Sequence, residues 1–372
     1  MSYTHLKQWT EKLLRHADVS IDGKRPWDIQ VKNKNLYRRV FVHGSLGFGE
    51  AYMDGWWDAE SLDELVSRLM KAQLDQHFKS IALMITTLKA KLLNCQSPRR
   101  AYQVGVKHYD IGNDLYINML DSRMIYSCGY WKNAQTLEEA QRDKLDLTCR
   151  KLHLKKGQRV LDIGCGWGGC ARYMAENYGV EVVGITISKE QAALARDNCR
   201  QLPIEILVKD YRELQGRFDR IVSIGMFEHV GYKNYRNYFK TVEKLLADDG
   251  LFLLHTIGSN TPTEHTDPWI DRYIFPNGML PSAQQISSAF EDYFILEDWH
   301  SFGPDYDKTL LSWYDNFNEA WSRIKKNYDD RFRRMWNYYL LASAGSFRAR
   351  KNQLWQIVLS KQGLTSNYRY PR

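Results

Sequence analysis

Long hydrophobic runs are missing from this chain of 372 residues. No stretch approaches the ~18 consecutive apolar residues of a membrane-spanning helix, and the opening MSYTHLKQWTEKLL lacks the apolar centre of a secretion signal. Cysteine is sparse: the six residues at 95, 128, 149, 165, 170 and 199 never stand as C-x-x-C. That spacing argues against a zinc site or a paired redox motif. No internal repeat or low-complexity tract is present. These absences predict a cytoplasmic protein with reduced thiols, with peripheral contact to any membrane. Hydrophobic residues at 44% are enough for a proper core, and the length favours two domains.

What the chain has in excess is aromatic rings and positive charge at its ends. It carries 12 Trp and 23 Tyr, side chains that suit interfaces and sites that hold cations. The net charge of +8 divides as +5 over residues 1–100 and +10 over 322–372, leaving −7 between. Basic ends suit anionic lipid or nucleic acid, or a solvated face. No stretch interleaves basic and aromatic residues as a nucleic-acid reader would, so no nucleic-acid partner is expected.

The N-terminal part reads as helical. Ser61-Leu62-Asp63-Glu64 has the form of a capping box, followed by Leu62, Leu65, Val66, Leu69 and Met70 on one face. The pattern continues through Leu74, Phe78, Ile81, Ile85, Leu88 and Leu92 with lysines interspersed, and breaks at 94–101, a candidate linker. A small, mainly helical domain over 1–93 follows. Beyond the linker, Thr136-Leu137-Glu138-Glu139 is a second capping box, opening a helix to about Leu152. Strands are then expected at 159–163, 180–187, 204–208, 218–224 and 251–256, with helices at 168–177, 189–200 and 235–247 between them. Such alternation predicts an α/β fold, a doubly wound, mostly parallel sheet of Rossmann-like type over 102–372.

In such sheets ligands bind beyond the carboxyl ends of the strands. The first such end is VLDIGCGWGG (160–169), a buried strand running into a glycine-rich turn that opens a helix. Glycines let a ligand approach the main chain, and a helix N-terminus aims N–H groups at it. The G-x-G-x-x-G spacing admits a dinucleotide, but that fingerprint needs an acidic residue about 20 positions on, at the end of the next strand. That strand ends in Thr186 and Ile187. Asp162, two residues before Gly164, fits better the Asp-x-Gly-x-Gly-x-Gly turn that resembles class I S-adenosylmethionine (SAM) methyltransferases. Other strand ends place Asp210 and Tyr211, Glu228 and His229, and His255 in the same region. Ser188-Lys189-Glu190-Gln191 leaves Gln191 open as either a ligand or a helix cap.

Several motifs in order carry a wider resemblance: YSCGYW (126–131), VLDIGCGWGG, GMFEHVG (225–231), HTIGS (255–259) and FPNGMLPS (275–282), together with GSLGFGEAYMDGWW (44–57). Over nearly its whole length the chain resembles the cyclopropane-fatty-acyl-phospholipid synthase family of two-domain bacterial type. The resemblance implies methylene transfer from SAM to the cis double bond of a phospholipid acyl chain, through a carbocation. It places SAM against Tyr126, Ser127, Asp162, Gly164, Gly166, Gly168, Thr186, Ile187, Gln191, Asp210 and Tyr211. It also implies a bicarbonate ion as proton acceptor, held by Glu228, His255, Tyr306 and main-chain N–H groups at Cys128 and Ile257. Of the rings suited to the cation (Tyr126, Tyr130, Trp131, Trp167 and Tyr306), only Tyr306 is assigned a role.

Relatives often carry a cysteine where this chain has Ser343, so no thiol nucleophile stands there. Cys165, inside the turn, reads as a small packing residue. The resemblance further implies a phospholipid bilayer with anionic lipid and unsaturated acyl chains as partner, and a homodimer. Rival readings are a SAM methyltransferase of a small amine or another alkene, a nucleic-acid-binding methyltransferase fold, and a catalytically dead lipid-binding member.

Overall fold

The computed structural model describes residues 3–74, 112–364 and 368–372. The expected helical continuation from Phe78 to Leu92 and the linker at 94–101 lie outside the described residues. The chain clusters into two compact units that are not two consecutive stretches. Among the described residues, one comprises 3–74 together with Glu264–Pro276 and Tyr306–Asn352; the other holds the rest from 112 onward. Two segments expected in a continuous catalytic domain over 102–372 therefore pack with the N-terminal part.

The reason lies in the helix Asp330–Arg348. Gly345 lets it approach the helix Leu62–Lys71 so closely that a Cβ there would stand 2.3 Å from the Asp63 carbonyl oxygen. Its arginines then find partners within the same unit. Arg334 pairs with Asp58 at 2.6 Å, Arg331 with Asp54 at 2.9 Å, and Arg348 with both Asp63 and Asp307. Part of the basic charge at 322–372 is thus neutralised inside the fold. The Leu62–Lys71 helix forms as expected, but Ser61 makes no side-chain cap. Glu64, the other half of the expected box, bonds Arg68 instead.

The second unit is built on one seven-stranded sheet. Its strands are β1 (Arg159–Ile163), β2 (Glu181–Thr186), β3 (Ile204–Val208), β4 (Phe218–Ile224), β5 (Leu246–Ser259), β6 (Ile295–Ser301) and β7 (Asn352–Ser360). In that numbering the order is 3-2-1-4-5-7-6, with β3 to β5 parallel and β6 antiparallel to β7. The parallel strands read as apolar runs because both faces are covered. Val160, Val182, Val222 and Leu251 face one core, and Leu161, Val183, Ile221 and Phe252 the other. The five expected strands are present, β5 starting earlier than foreseen at Leu246. The fold is that of a class I methyltransferase. No helix among the described residues is long and apolar enough to cross a membrane.

β7 lies between β5 and β6 and seats Trp355 against Gly258, where a Cβ would fall 2.0 Å from the indole ring. Gly258→Ala is expected to lower unfolding stability by about 1–3 kcal/mol through overpacking. An unchanged urea midpoint would contradict this seating of the indole.

Candidate active site

The order reversal beside β1 opens a crevice at the carboxyl ends of the strands. The turn after β1 has Gly164, Gly166 and Gly168 all at positive φ (86°, 54° and 82°), a conformation that L side chains adopt only with strain. The N–H groups of Gly164 and Cys165 both donate to the Ile185 carbonyl at 2.9 Å, which pins the turn to β2. At Gly166 an added Cβ would meet nothing within 4 Å, so the turn is open to a ligand on that side. Trp167 packs on Tyr116 at 4.8 Å, Tyr116 in turn meets Tyr126 at 5.2 Å, and the Trp167 indole donates to Asn113. An aromatic wall therefore stands beside the glycines. Cys165 is buried against Ala192, Ala195 and Ile206, and burial pushes its thiol well above the usual range, as a packing residue requires.

Asp162 sits inside the sheet, opposite Gly184 on β2 and Val222 on β4. Its Oδ2 has no hydrogen-bond partner among the described residues. Burial pushes its carboxyl up to about 7, opposed by the charge of Lys144. Ser127 is held on both sides: its carbonyl accepts from Gln141 Nε2 at 2.7 Å and its hydroxyl from Lys144 Nζ at 2.9 Å. Thr186 donates to the Gln191 side chain at 3.0 Å, and the Gln191 N–H donates to Ser188. The side chain of Gln191 is thus tied to the end of β2, and Ser188 supplies the cap. Ile187 follows directly on this strand end. Asp210 accepts a forked pair of bonds from Arg212 at 2.7 and 2.6 Å, and the Tyr211 ring stands 5.1 Å from Tyr238.

A second cluster lies at the ends of β4 and β5. Glu228, on a short 3₁₀ turn after β4, accepts the Ile257 N–H through Oε1 at 2.6 Å, while its Oε2 has no partner among the described residues. Burial pushes this carboxyl up to about 7. The Ile257 N–H, expected to face a bound anion, is engaged with Glu228 here. His255 is buried, with Nε2 unpartnered among the described residues and the ring edge against Phe302 at 5.8 Å. Desolvation first, then Lys144 and Lys151, holds it well below the ordinary imidazole range, so the ring is neutral. Cys128 is buried, its thiol 3.1 Å from the Gly129 carbonyl. Tyr306 belongs to the other unit, packed between Phe347 and Trp313.

Several polar residues of this region were not among the expected site residues. Helix Leu137–Lys151 opens with the expected capping box, both bonds present. It then carries Gln141, Lys144, Thr148 and Lys151, all fully buried. Their 3-4-3 spacing is the signal that reveals them: it puts four polar side chains on one inward stripe. Gln356 on β7, also fully buried, meets this stripe at Thr148. Among the described residues no group of three or more His, Cys, Asp or Glu side chains could hold a metal ion.

The open glycine turn at the order reversal, with a buried acid before it and an aromatic wall beside it, defines a SAM-dependent methyltransferase fold. Comparison with known proteins places it more narrowly. A profile of the mycolic acid cyclopropane synthetase family matches residues 96–357. The chain is 54% identical over 365 residues to cyclopropane-fatty-acyl-phospholipid synthase of Escherichia coli K12, covering 97% of this chain and 94% of that one. It is 33% identical to a tuberculostearic acid methyltransferase of Mycobacterium tuberculosis, over 88% of this chain and 82% of that one. Among solved structures, a cyclopropane synthase from Mycobacterium tuberculosis superposes with TM-score 0.66 at 32% identity, covering 70% of this chain and 98% of that one. A mycolic acid cyclopropane synthase complexed with SAH and CTAB gives the same figures: TM-score 0.66, 32% identity, 70% and 98% coverage. The chain belongs to the mycolic acid cyclopropane synthetase family.

The buried Glu228 carboxyl carries a stability cost with a definite pH dependence. Its folded value is raised above the ordinary one, so the cost is absent at acid pH, where the group is protonated in both states, and accrues as pH rises from the ordinary carboxylate range through about 7. Glu228→Gln removes that ionisation. Relative to the native chain, the variant is expected to gain stability, on the order of 3 kcal/mol at most, between about pH 5 and about pH 8. Urea unfolding at the two pH values measures it. A difference that stays constant or reverses would contradict a raised Glu228.

Proposed function

We propose that this chain transfers a methylene group from SAM to the cis double bond of unsaturated acyl chains in membrane phospholipids, giving cyclopropane fatty acyl chains. The observation that carries the reading is the pair of buried polar atoms without a partner among the described residues, Glu228 Oε2 and His255 Nε2, at neighbouring strand ends. The identity with the Escherichia coli synthase supports the choice of substrate.

The glycine turn, Asp162, Thr186, Ile187 and Gln191, with the pairs Tyr126–Ser127 and Asp210–Tyr211, form the pocket for SAM. The open space at Gly166 and the Asp162 Oδ2 without a partner among the described residues support a polar ligand at this turn. When bound, SAM supplies an electrophilic methyl group, and bicarbonate supplies the acceptor for the proton lost as the ring closes. Glu228 in its carboxylate form accepts the hydroxyl of such an anion through Oε2, while the neutral His255 donates to one of its oxygens. Ile257 acts through Glu228 by fixing Oε1. Cys128, in the same unit, and Tyr306 are added to the anion-holding residues on the family resemblance alone. Holding a mobile base, these side chains avoid alkylation by the cation.

The enzyme works at the cytoplasmic face of an anionic membrane, bound peripherally, as a homodimer. The exposure of Lys325 and Lys326, in a basic segment whose Arg331, Arg334 and Arg348 are paired within the fold, supports the first part, and the family resemblance supports the second. A second reading is favoured by the relative named a tuberculostearic acid methyltransferase: methyl transfer to an acyl chain without ring closure.

Vesicles of unsaturated phospholipid incubated with SAM and the enzyme are expected to gain one CH₂ per reacted acyl chain. The product should resist hydrogenation and give cyclopropane proton resonances by NMR. A methyl-branched product would establish the second reading, and no product would refute both. Glu228→Gln is expected to leave SAM affinity nearly unchanged while lowering turnover by about 10²–10⁴-fold. Loss of SAM binding instead would place Glu228 in the cofactor pocket.

A further inference from the structure

Gln356 is a polar side chain in the middle of a buried strand, between Trp355 and Ile357, with no exposure to solvent. Such a residue is costly to bury unless its hydrogen bonds do something the fold requires. Its amide nitrogen stands 3.1 Å from Thr148 Oγ1 and 3.4 Å from His255 Nδ1. The Thr148 hydroxyl donates its single proton to the Lys144 carbonyl at 2.9 Å, so Oγ1 is left as an acceptor for the amide. With the amide nitrogen turned to Thr148, its second N–H is within reach of His255 Nδ1.

A neutral imidazole has one proton, and the nitrogen that accepts a hydrogen bond cannot carry it. With Nδ1 accepting from Gln356, the proton lies on Nε2, the atom that has no partner among the described residues. We propose that Gln356, itself oriented by Thr148, is a positioning residue that locks His255 as its Nε2–H tautomer, so that the ring faces the reaction space as a hydrogen-bond donor. This rests on the reading that an anion is held between His255 and Glu228. The opposite tautomer would present a lone pair there. That lone pair would repel the anion and would be open to methylation.

The test uses the full-length enzyme labelled with ¹⁵N-histidine, with His255 assigned by the loss of its signals in His255→Gln. The native chain is expected to show Nδ1 in the unprotonated range and Nε2 in the protonated range. In Gln356→Glu a carboxylate stands where the amide donor was, so it accepts from Nδ1–H and the pattern reverses. Gln356→Met, of similar length with no donor, is expected to show a mixture of the two tautomers. Turnover with unsaturated phospholipid vesicles and bicarbonate should fall by about 10²-fold or more in Gln356→Glu, as other wrong-tautomer histidines do. It should fall less in Gln356→Met, with SAM affinity close to native in both and a melting temperature lowered in both, more so in Gln356→Glu, which buries a charge.

A native His255 with its proton on Nδ1, or one doubly protonated, overturns the proposal whatever the activities are. That spectrum is read on the native chain, so it stands even where a variant folds poorly. A reversed tautomer in Gln356→Glu with undiminished turnover leaves Gln356 as the orienting group but overturns the reading that His255 donates to an anion.

Discussion

The bond from the Ile257 N–H to Glu228 Oε1 joins the pieces on which the site depends. Glu228 leaves β4, Ile257 lies near the end of β5, and the Met279 N–H donates to the Glu228 carbonyl at 2.8 Å. One residue thus ties two strand ends and the 277–282 segment together. Its second oxygen, Oε2, is buried with no partner among the described residues, and burial pushes the carboxyl up to about 7. The same exclusion of water keeps His255 uncharged. Glu228 Oε2 and His255 Nε2, both buried and unsatisfied among the described residues, favour a small hydrogen-bonding ligand between these strand ends.

The supporting layer is polar as well. Helix Leu137–Lys151 turns Gln141, Lys144, Thr148 and Lys151 inward, and each has a defined partner. These are the Ser127 carbonyl, the Ser127 hydroxyl, the Gln356 amide and Asp298, the last at 3.0 Å. Ordinary helices of such sheets bury an apolar stripe. Here the stripe positions the 126–128 segment on one side and His255 on the other. These bonds fix geometry, because breaking one leaves a further buried orphan; the side-chain oxygens of Gln141 and Gln356 already have no partner among the described residues.

Much of this was legible in the sequence. The parallel strands stand out because burial on both faces makes them continuous apolar runs, and the glycine turn because its φ angles admit little else. Glu228 and His255 follow from the rule that function lies beyond strand ends. The antiparallel β6 and β7 escaped: Glu297, Asp298 and His300 break the apolar run of β6, and β7 carries Gln353 and Gln356 among its apolar residues. Local signals misled where a stronger partner lay elsewhere, as when Glu64 bonds Arg68 in place of capping Ser61. The grouping of residues 264–276 and 306–352 with the N-terminal part has no local signature, since it depends on ion pairs formed across hundreds of residues of sequence.

The central claim is that the proton leaves to an anion held by Glu228 and His255. It is tested most directly by measuring turnover on unsaturated phospholipid vesicles in carbonate-depleted buffer while bicarbonate is added back. Turnover should be nearly abolished without bicarbonate and should recover saturably as it is restored, with no recovery on adding chloride at equal ionic strength. A rate independent of bicarbonate would contradict it and return the proton transfer to a side chain.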